Sequence, residues 1–346
     1  MSIPVAMTDR VLDSAKFIAE HSDYVSIPYN HIDQATERIL KSMEHRKYST
    51  KTWNQHPLNP KCLDTSTVDW IFLVDLLNFS FWSDLDHADR STAHPDRYAV
   101  TYQGVAYTGY WSLCAAINRA LDEGIPITSG KYLAEASDEA LAHIFRSDTK
   151  EQVPMLKERV MLMKEAGQML CKHFDGSFVN CIAQAKYSAQ QLIDLLLTYF
   201  PSFRDIHTFR DRQVYILKRA QIMVADLWAC FDGISYGRFD DIDTITMFAD
   251  YRVPQALYHL GLLEYNTTLK TRLIQGEDLL SGSQEEIEIR GNSIWAVELV
   301  RQRIQQVMPD THINAILIDF YIWDLAKEIQ NELTAVPTHH TRSWYY

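Results

Sequence analysis

Residues 239–261 read FDDIDTITMFADYRVPQALYHLG, a stretch that places four aspartates and three aromatic rings directly before a short helix. Pro254 favours the first turn of that helix, because its missing N–H would be unpaired there anyway, and Gly261 is suited to end it. Asp250 is therefore predicted to lie on a non-helical approach to the helix N-terminus. The partial positive charge of a helix N-terminus favours an ionised carboxylate, and the adjacent rings partly exclude water from it.

Two interpretations of these aspartates remain open. A carboxylate held in this way can stabilise a developing cation or activate a water molecule. The alternative is that the aspartates are solvated loop and cap residues, and this is the favoured interpretation for Asp240 and Asp243. Asp250 lies between aromatic residues and is followed by Arg252, and for this residue the sequence alone does not decide between the two interpretations.

The composition limits the classes to which the chain can belong. With 346 residues, 47% hydrophobic and 23% charged, it is predicted to be a soluble globular protein. A net charge of −12 argues against a protein whose main partner is the phosphate backbone of a duplex. No apolar run reaches membrane-spanning length, so no membrane partner is expected. Five cysteines without a CxxC pair, and no secretory leader, predict reduced thiols in an intracellular protein, cytoplasmic with the nucleus as the alternative.

Periodic apolar patterns predict a mainly α fold, a single multi-helix domain over residues 1–346 with one small β-hairpin. The hairpin is predicted for residues 98–108, which alternate around Gly104. Asp33 is expected to cap the first predicted helix, and Ser66 with Asp69 resembles a capping box. Residues 287–290 are too short a pattern to assign. The predicted helices with assigned bounds cover residues 33–43, 112–123, 129–144, 155–174, 188–200, 215–231, 292–307 and 313–333. A further buried helix opens at Ser66 and leads into DWIFLVDLLNFSFW, and a short helix has Pro254 in its first turn and Gly261 at its end.

A set of polar and aromatic residues follows the buried helix that begins at Ser66. Asn78 arrives there with the rings of Phe79, Phe81 and Trp82, so that an amide lies beside flat apolar faces. A planar heterocycle would fit such a set. The alternative is a helix terminus packed on core aromatics.

The predicted helix over residues 215–231 is strongly apolar yet carries several charges. Arg219 and Asp226 are seven residues apart and share a face, and Lys218 precedes them. Charges on so apolar a helix must be paired or must serve a ligand. Lys218 is the preferred phosphate contact, because a lysine stem can cross apolar surface while its ammonium reaches an anion. A buried structural ion pair is the competing interpretation.

The last eight residues read HHTRSWYY and combine cationic and aromatic side chains. Such a tail can dock onto the body of the protein and close a site. The pair His339–His340 is not a metal motif, and the sequence has no HExxH, GxGxxG or P-loop pattern. No metal and no cofactor are therefore expected.

Eight motifs, spread in order over nearly the whole chain, together resemble the queuosine salvage family, the queuosine 5'-phosphate N-glycosylase/hydrolases. Any one of them is weak, but the ordered set is highly specific. The motifs are SAKFIAEHS, NFSFW, YTGYWSLCAAINRALDEGIPITS, FRSDT, LKRAQIMVADLW, ITMFADYRVPQAL, EIRGNSIWAVELVR and HHTRSWYY.

The resemblance implies an all-helical fold related to the helix-hairpin-helix DNA glycosylases, acting without a metal. It implies hydrolysis of the N-glycosidic bond of queuosine 5'-monophosphate, with release of the base queuine for reuse in tRNA modification. The expected partner is therefore a small nucleotide, with no duplex nucleic acid and no membrane.

The resemblance also implies roles for individual residues. Asp250 is the expected catalytic carboxylate, which stabilises the ribosyl cation-like transition state and orients the attacking water. Lys218 is expected to hold the 5'-phosphate, together with His340 and Arg342 of the tail. The tail departs from the His-Arg pairing associated with the family, because His340 is followed by Thr341.

For the base, the resemblance implies a pocket and two candidate carboxylates. The carboxylates are expected to read the amide-like edge of the base or its cationic amine. The pocket residues are Asn78, Phe79, Phe81 and Trp82, and the carboxylates are Asp226 and Asp241.

Two alternative functions come from the same residues. A nucleic-acid base glycosylase would use the same chemistry on a flipped base, but it would need a basic surface that a net charge of −12 does not favour. A non-catalytic helical protein that binds a nucleoside would need no turnover at all.

Overall fold

The computed structural model describes residues 10–86, 94–333 and 335–346. Over these residues the protein is mainly α, as predicted, with three small two-stranded sheets. None of the helices in this part of the chain is long and apolar enough to cross a membrane. The helices are α1 Arg10–Glu20, α2 Ile32–Arg46, α3 Thr65–Leu76, α4 Tyr110–Asp122, α5 Gly130–Glu135, α6 Asp138–Ile144, α7 Leu156–His173, α8 Val179–Ala185, α9 Ala189–Tyr199, α10 Lys218–Cys230, α11 Val253–His259, α12 Thr267–Ile274, α13 Gln284–Val307 and α14 Ala315–Glu328. The strands are β1 Val25–Ser26, β2 Val100–Tyr102, β3 Val105–Tyr107, β4 Ile206–Phe209, β5 Arg212–Tyr215 and β6 Glu264–Tyr265.

The chain divides into two compact units that alternate along the sequence. Of the described residues, unit 1 holds those up to Ser49 and those within Asp205–Gln221 and Ile242–Arg342. Unit 2 holds the described residues within Thr50–Arg204, Ile222–Asp241 and Ser343–Tyr346. A single domain over residues 1–346 stays a prediction.

Unit 1 is built around helix α13, which packs against α1, α2, α11 and α14. The helix begins after Ser283, whose side chain accepts the backbone N–H of Glu286 and so caps it. It therefore includes residues 287–290, which sequence analysis left unassigned, and it starts eight residues before the predicted Asn292. Gly291 lets α1 approach closely, because a Cβ there would lie 2.5 Å from Cγ2 of Ile18.

Unit 2 is built around helix α3, which is buried along most of its length and packs against α4, α7 and α8. Its burial was predicted correctly, but its cap was not. Asp64 caps the helix by accepting the N–H groups of Ser66 and Thr67. Asp69 instead accepts the N–H of Phe178 at 2.7 Å, which ties α3 to the start of α8.

The hairpin predicted for residues 98–108 is confirmed as the β2–β3 pair, with Gly104 in the left-handed region at φ 79°. Sequence analysis missed a second hairpin, β4–β5. Its turn residues Arg210 and Asp211 both have positive φ, at 49° and 59°, without the glycine that marks such turns. Because Tyr215 belongs to β5, helix α10 begins at Lys218 and not at residue 215. The third pair, β1–β6, was also missed.

Two helix predictions differ from the structure in their ends. The single helix predicted over residues 129–144 is two short helices, α5 and α6, because Ser137 caps a new helix by accepting the N–H of Ala140. Helix α2 begins at Ile32 after His31, so Asp33 lies inside the first turn and does not cap it.

Helices α5 and α7 of unit 2 approach each other at Gly167. A Cβ at Gly167 would lie 2.5 Å from the backbone nitrogen of Ala134 and 2.7 Å from the carbonyl oxygen of Gly130. Both are main-chain atoms, so they cannot turn away as a side chain would. This contact explains why no side chain is present at Gly167.

We expect Gly167→Ala to lower the free energy of unfolding by about 1–3 kcal/mol, because the added methyl group forces two backbones apart. The control is Gln168→Ala, one residue further along the same helix at an exposed position. This substitution should change the free energy of unfolding by less than about 0.5 kcal/mol. Urea unfolding followed by circular dichroism measures both. Equal midpoints for the two variants would show that α5 and α7 can separate without cost.

Candidate active site

Asp250 lies where the sequence predicts it, on non-helical backbone directly before α11. Its Oδ1 accepts the backbone N–H groups of Arg252 at 2.8 Å and Val253 at 2.7 Å. Pro254 lies in the first turn of α11, and Gly261 follows its end with φ 75°. Both hydrogen bonds fall on one oxygen, so the carboxylate is fixed in orientation through Oδ1.

The electrostatic surroundings of Asp250 combine opposing effects. Burial raises the pKa of this carboxyl group above its ordinary value, because a low-dielectric environment disfavours the charged form. The positive charge of Lys218, the two N–H bonds and the charge of Arg252 each lower the pKa, but burial outweighs them. The result is a carboxylate that is more basic than an exposed aspartate, with a lysine ammonium close enough to affect its titration.

The backbone of residues 246–249, which leads to Asp250, is buried and non-helical, so side chains must satisfy its polar groups. Gln221 Oε1 accepts the N–H of Thr246 at 2.9 Å and its hydroxyl at 3.0 Å. Asp319 Oδ1 accepts the N–H of Phe248 at 2.9 Å. Arg290 Nε donates to the carbonyl of Ala249 at 3.1 Å. Three helices, α10, α13 and α14, therefore hold this segment.

Arg290 is itself fully buried and forms a two-pronged ion pair with Asp205. Its two terminal nitrogens donate to the two carboxylate oxygens of Asp205 at 3.0 and 2.6 Å, and Glu286 accepts a further bond at 3.1 Å. Asp205 also accepts from the ring of His207 at 3.0 Å. Burial alone would raise the pKa of Asp205, but Arg290 and His207 hold it well below its ordinary value. Sequence analysis singled out none of these residues.

The three predicted phosphate contacts lie in unit 1. Lys218 is the first residue of α10, with a buried side chain, and its backbone N–H donates to Asp205 at 3.2 Å. The ring of His340 is buried, and its Nδ1 lies 4.0 Å from the carboxylate of Asp278. Arg342 is partly exposed. The positive charge of Lys218 lowers the pKa of Asp250.

The predicted base-binding rings lie in unit 2, directly after α3. Phe79 is fully buried, with the guanidinium of Arg159 4.3 Å from its ring centre. Arg159 donates to the carbonyls of Leu77 and Phe79 at 2.6 and 2.5 Å, which fixes the turn. Trp82 is also buried, whereas Phe81 is partly exposed and so has ring surface for a ligand.

Polar groups of unit 2 gather near these rings. Asn78 donates to Asp75 at 3.4 Å. The ring of Tyr110 meets that of Phe81 edge to face at 6.1 Å. Burial raises the pKa of Tyr110 well above its ordinary value, and the nearby charges of Asp226 and Asp75 raise it further. The structure therefore brings the predicted Asp226 together with Asp75 and Tyr110. Sequence analysis identified neither Asp75 nor Tyr110 as a site residue. For Asp75, the one available signal in the sequence was a carboxylate within the apolar run of residues 70–76.

Asp241 has contacts of a different kind. Its carboxylate accepts from the Ser188 hydroxyl at 2.7 Å and from the backbone N–H groups of Ala189 at 2.5 Å and Gln190 at 3.3 Å. These bonds cap helix α9. The base contact predicted for Asp241 would have to be made in addition to them, and it stays a prediction.

The end of the chain docks onto the turn that carries the rings, as predicted. Ser80 donates its N–H to the carbonyl of Tyr346 at 3.1 Å and its hydroxyl to the carbonyl of Ser343 at 2.8 Å. Ser80 has a positive φ of 49°, so the turn is sharply bent at this point. The residues Ser343–Tyr346 thus bind directly beside the predicted base pocket.

Over the described ranges, no group of three or more histidine, cysteine or acidic side chains is arranged to hold a metal ion. Fold and geometry together define a mainly α protein with a carboxylate-centred candidate active site. A family model described as "Queuosine salvage protein" matches residues 58–346. The chain belongs to the queuosine salvage protein family.

Similar proteins with nearly complete coverage support this membership. Each carries the name queuosine 5'-phosphate N-glycosylase/hydrolase. A relative from Schizosaccharomyces pombe is 47% identical, over 97% of this chain and 99% of its own length. One from Mus musculus is 44% identical, over 96% of this chain and 98% of its own length. One from the bacterium Sphaerobacter thermophilus is 36% identical, over 97% of both chains.

Proposed function

We propose that this chain hydrolyses the N-glycosidic bond of queuosine 5'-monophosphate and releases queuine for reuse in tRNA modification. The observation that carries the proposal is Asp250, a basic, oriented carboxylate within a chain whose full-length relatives bear that activity in their names. We further propose that residues 1–346 act as a single catalytic domain, which agrees with a family match that spans residues from both units.

In this proposal Asp250 acts on the sugar and on water. N-glycoside cleavage passes through a ribosyl cation-like state, which an ionised carboxylate near C1' stabilises. Water forms the new bond to C1', the bond electrons leave with the base nitrogen, and Asp250 takes the proton released by the water. The departing nitrogen takes up a proton from solvent to give queuine, and Asp250 returns its proton to solvent. Since Oδ1 is held by Arg252 and Val253, we assign this work to Oδ2. The raised pKa supports the assignment, because a more basic carboxylate is a better proton acceptor.

Lys218 is proposed to hold the 5'-phosphate, with His340 and Arg342 as further contacts. A lysine ammonium on a buried stem suits a doubly charged phosphate, and a phosphate also needs donors besides a single lysine. The influence of Lys218 on Asp250 supports this role, because the phosphate and C1' belong to one small nucleotide.

The base is proposed to bind through aromatic and carboxylate groups of unit 2. Phe81 offers the partly exposed ring, while the buried Asn78, Phe79 and Trp82 shape the turn. Asp226, which lies near Tyr110, suits the cationic amine or the amide-like edge of the base. Asp241 is the weaker candidate for this contact, because it already caps a helix.

The test of the function is release of free base, measured by mass-resolved chromatography. The protein is incubated in turn with queuosine 5'-monophosphate, queuosine, ordinary nucleoside monophosphates and nucleic acid. We expect queuine from the first substrate and no base from the ordinary nucleotides. Tight binding of queuosine 5'-monophosphate without release would establish a nucleoside-binding protein instead. Release of ordinary bases from nucleic acid would establish a base glycosylase.

We expect Asp250→Asn to retain its fold and its affinity for the nucleotide, because an amide oxygen can still accept the two N–H bonds at Oδ1. Queuine release should fall roughly 10²–10⁴-fold, since the amide can neither take a proton nor stabilise a cation by charge. Asp240→Asn is the matched control, because Asp240 is exposed and pairs with Arg238 at the surface. Unchanged activity of Asp250→Asn would remove this residue from the mechanism.

The pH dependence of kcat/KM gives a second readout of the same residue. The reaction needs Asp250 ionised, so activity is lost as the pH falls through the pKa of that carboxyl. Because burial raises the pKa, the acidic limb should lie above the range of an ordinary aspartate. Residual activity of Asp250→Asn should lack this limb. A wild-type limb within the ordinary aspartate range would contradict the assignment.

We expect Lys218→Gln to weaken binding of queuosine 5'-monophosphate more than binding of queuosine. Loss of a charge-assisted contact costs about 1.5–3 kcal/mol, or roughly 10- to 100-fold in affinity. Calorimetry with both ligands measures the difference. The exposed Lys41, which pairs with Glu37 on α2, provides the matched control Lys41→Gln. An equal loss for both ligands would show that Lys218 does not bind the phosphate.

A further inference from the structure

Arg290 makes more contacts than an ion pair requires. A fully buried arginine needs a carboxylate partner, because removing its charge from water is costly, and Asp205 supplies one with both oxygens. A further donor, Nε, is directed to the carbonyl of Ala249, the residue before Asp250. The guanidinium therefore holds the backbone immediately next to the proposed catalytic carboxylate.

Asp205 extends this connection to the start of α10. Its Oδ2, which accepts from Arg290 at 2.6 Å, also accepts the backbone N–H of Lys218 at 3.2 Å. A continuous chain of hydrogen bonds thus runs from the Ala249 carbonyl through Arg290 and Asp205 to the Lys218 amide. Each link is buried and lies within unit 1.

The other supports of the same segment lie further from Asp250. Gln221 binds Thr246, four residues before it, and Asp319 binds Phe248, two residues before it. Arg290 binds the carbonyl of Ala249, the residue next to Asp250. Because the guanidinium is planar and rigid, its hydrogen bonds can change direction only slightly. Of the three side chains that hold this segment, Arg290 should therefore have the largest effect on the position of the Asp250 carboxylate.

We propose that Arg290 is a positioning residue for the hydrolysis, which fixes the Asp250 carboxylate and the Lys218 end of α10 in one geometry through Ala249 and Asp205. This inference rests on the proposed function. Arg290 does not touch the substrate in this scheme. It holds the Asp250 carboxylate within reach of C1' and of the attacking water.

The test uses Arg290→Lys in the full-length chain. Lysine retains the charge that Asp205 needs but cannot donate to Ala249 and to both oxygens of Asp205 at once. We expect kcat for queuine release to fall roughly 10²-fold, as a misplacement of about 1 Å can cause, with KM little changed. The matched control is Arg301→Lys on the same helix, where Arg301 pairs with Glu298, and it should retain wild-type kinetics.

A double variant separates positioning from a general loss of structure. If Arg290 acts through Asp250, then Arg290→Lys should add little to the defect of Asp250→Asn, because there is no carboxylate left to misplace. Losses that multiply would overturn the proposal, as would a raised KM with unchanged kcat.

A second variant tests the proposal if Arg290→Lys does not fold. Asp205→Asn keeps an acceptor for the Lys218 amide and removes the charge that orients Arg290, so it should reproduce the kcat defect. If neither variant folds, Arg290 is a structural core residue and the proposal is overturned. Absence of queuine release from the wild type would overturn the proposed function itself. Normal release from both the wild type and Arg290→Lys would overturn only the positioning role.

Discussion

The ion pair between Arg290 and Asp205 has to meet a strict physical condition. Two charges removed from water lose several kcal/mol each in hydration, and their attraction repays this only with good geometry and further hydrogen bonds. In unit 1 the condition is met with two parallel N–H···O bonds, together with bonds to Glu286, His207 and the backbone. Because all of these groups must stay in place together, the pair fixes the segments on which they lie.

The same constraint explains how irregular backbone is held in unit 2. Arg159 donates to two carbonyls of the turn after α3, those of Leu77 and Phe79, and also to the carbonyl of Pro154, which precedes α7. Arg159 is as completely buried as Arg290. Each unit thus contains a buried arginine that stabilises the non-helical segment on which candidate functional residues lie. Such planar, multiply donating side chains give a segment one orientation, which a flexible lysine would not.

The chemistry assigned to Asp250 follows from a competition between two effects. Burial favours the neutral acid, while Lys218 and the hydrogen bonds at Oδ1 favour the carboxylate. The effect of burial is the larger, so the Asp250 carboxylate is more basic than an exposed aspartate while its orientation stays fixed. A carboxylate of this kind suits a reaction in which positive charge develops on a sugar and water loses a proton. One side chain can then both stabilise the cation and accept the proton.

The sequence alone determined the features that depend on neighbours in the chain. The α3 and α11 helices, the hairpin at Gly104 and the place of Asp250 before a helix follow from local signals such as Pro254 and apolar periodicity. Only the tertiary structure decided the partners of the buried charges. Asp205 pairs with a residue 85 positions away, and Ala249 with one 41 positions away. The charges at Glu286, Glu288 and Arg290 break the amphipathic pattern of α13, so the start of this helix could not be recognised until the distant partners of Glu288 and Arg290 were known.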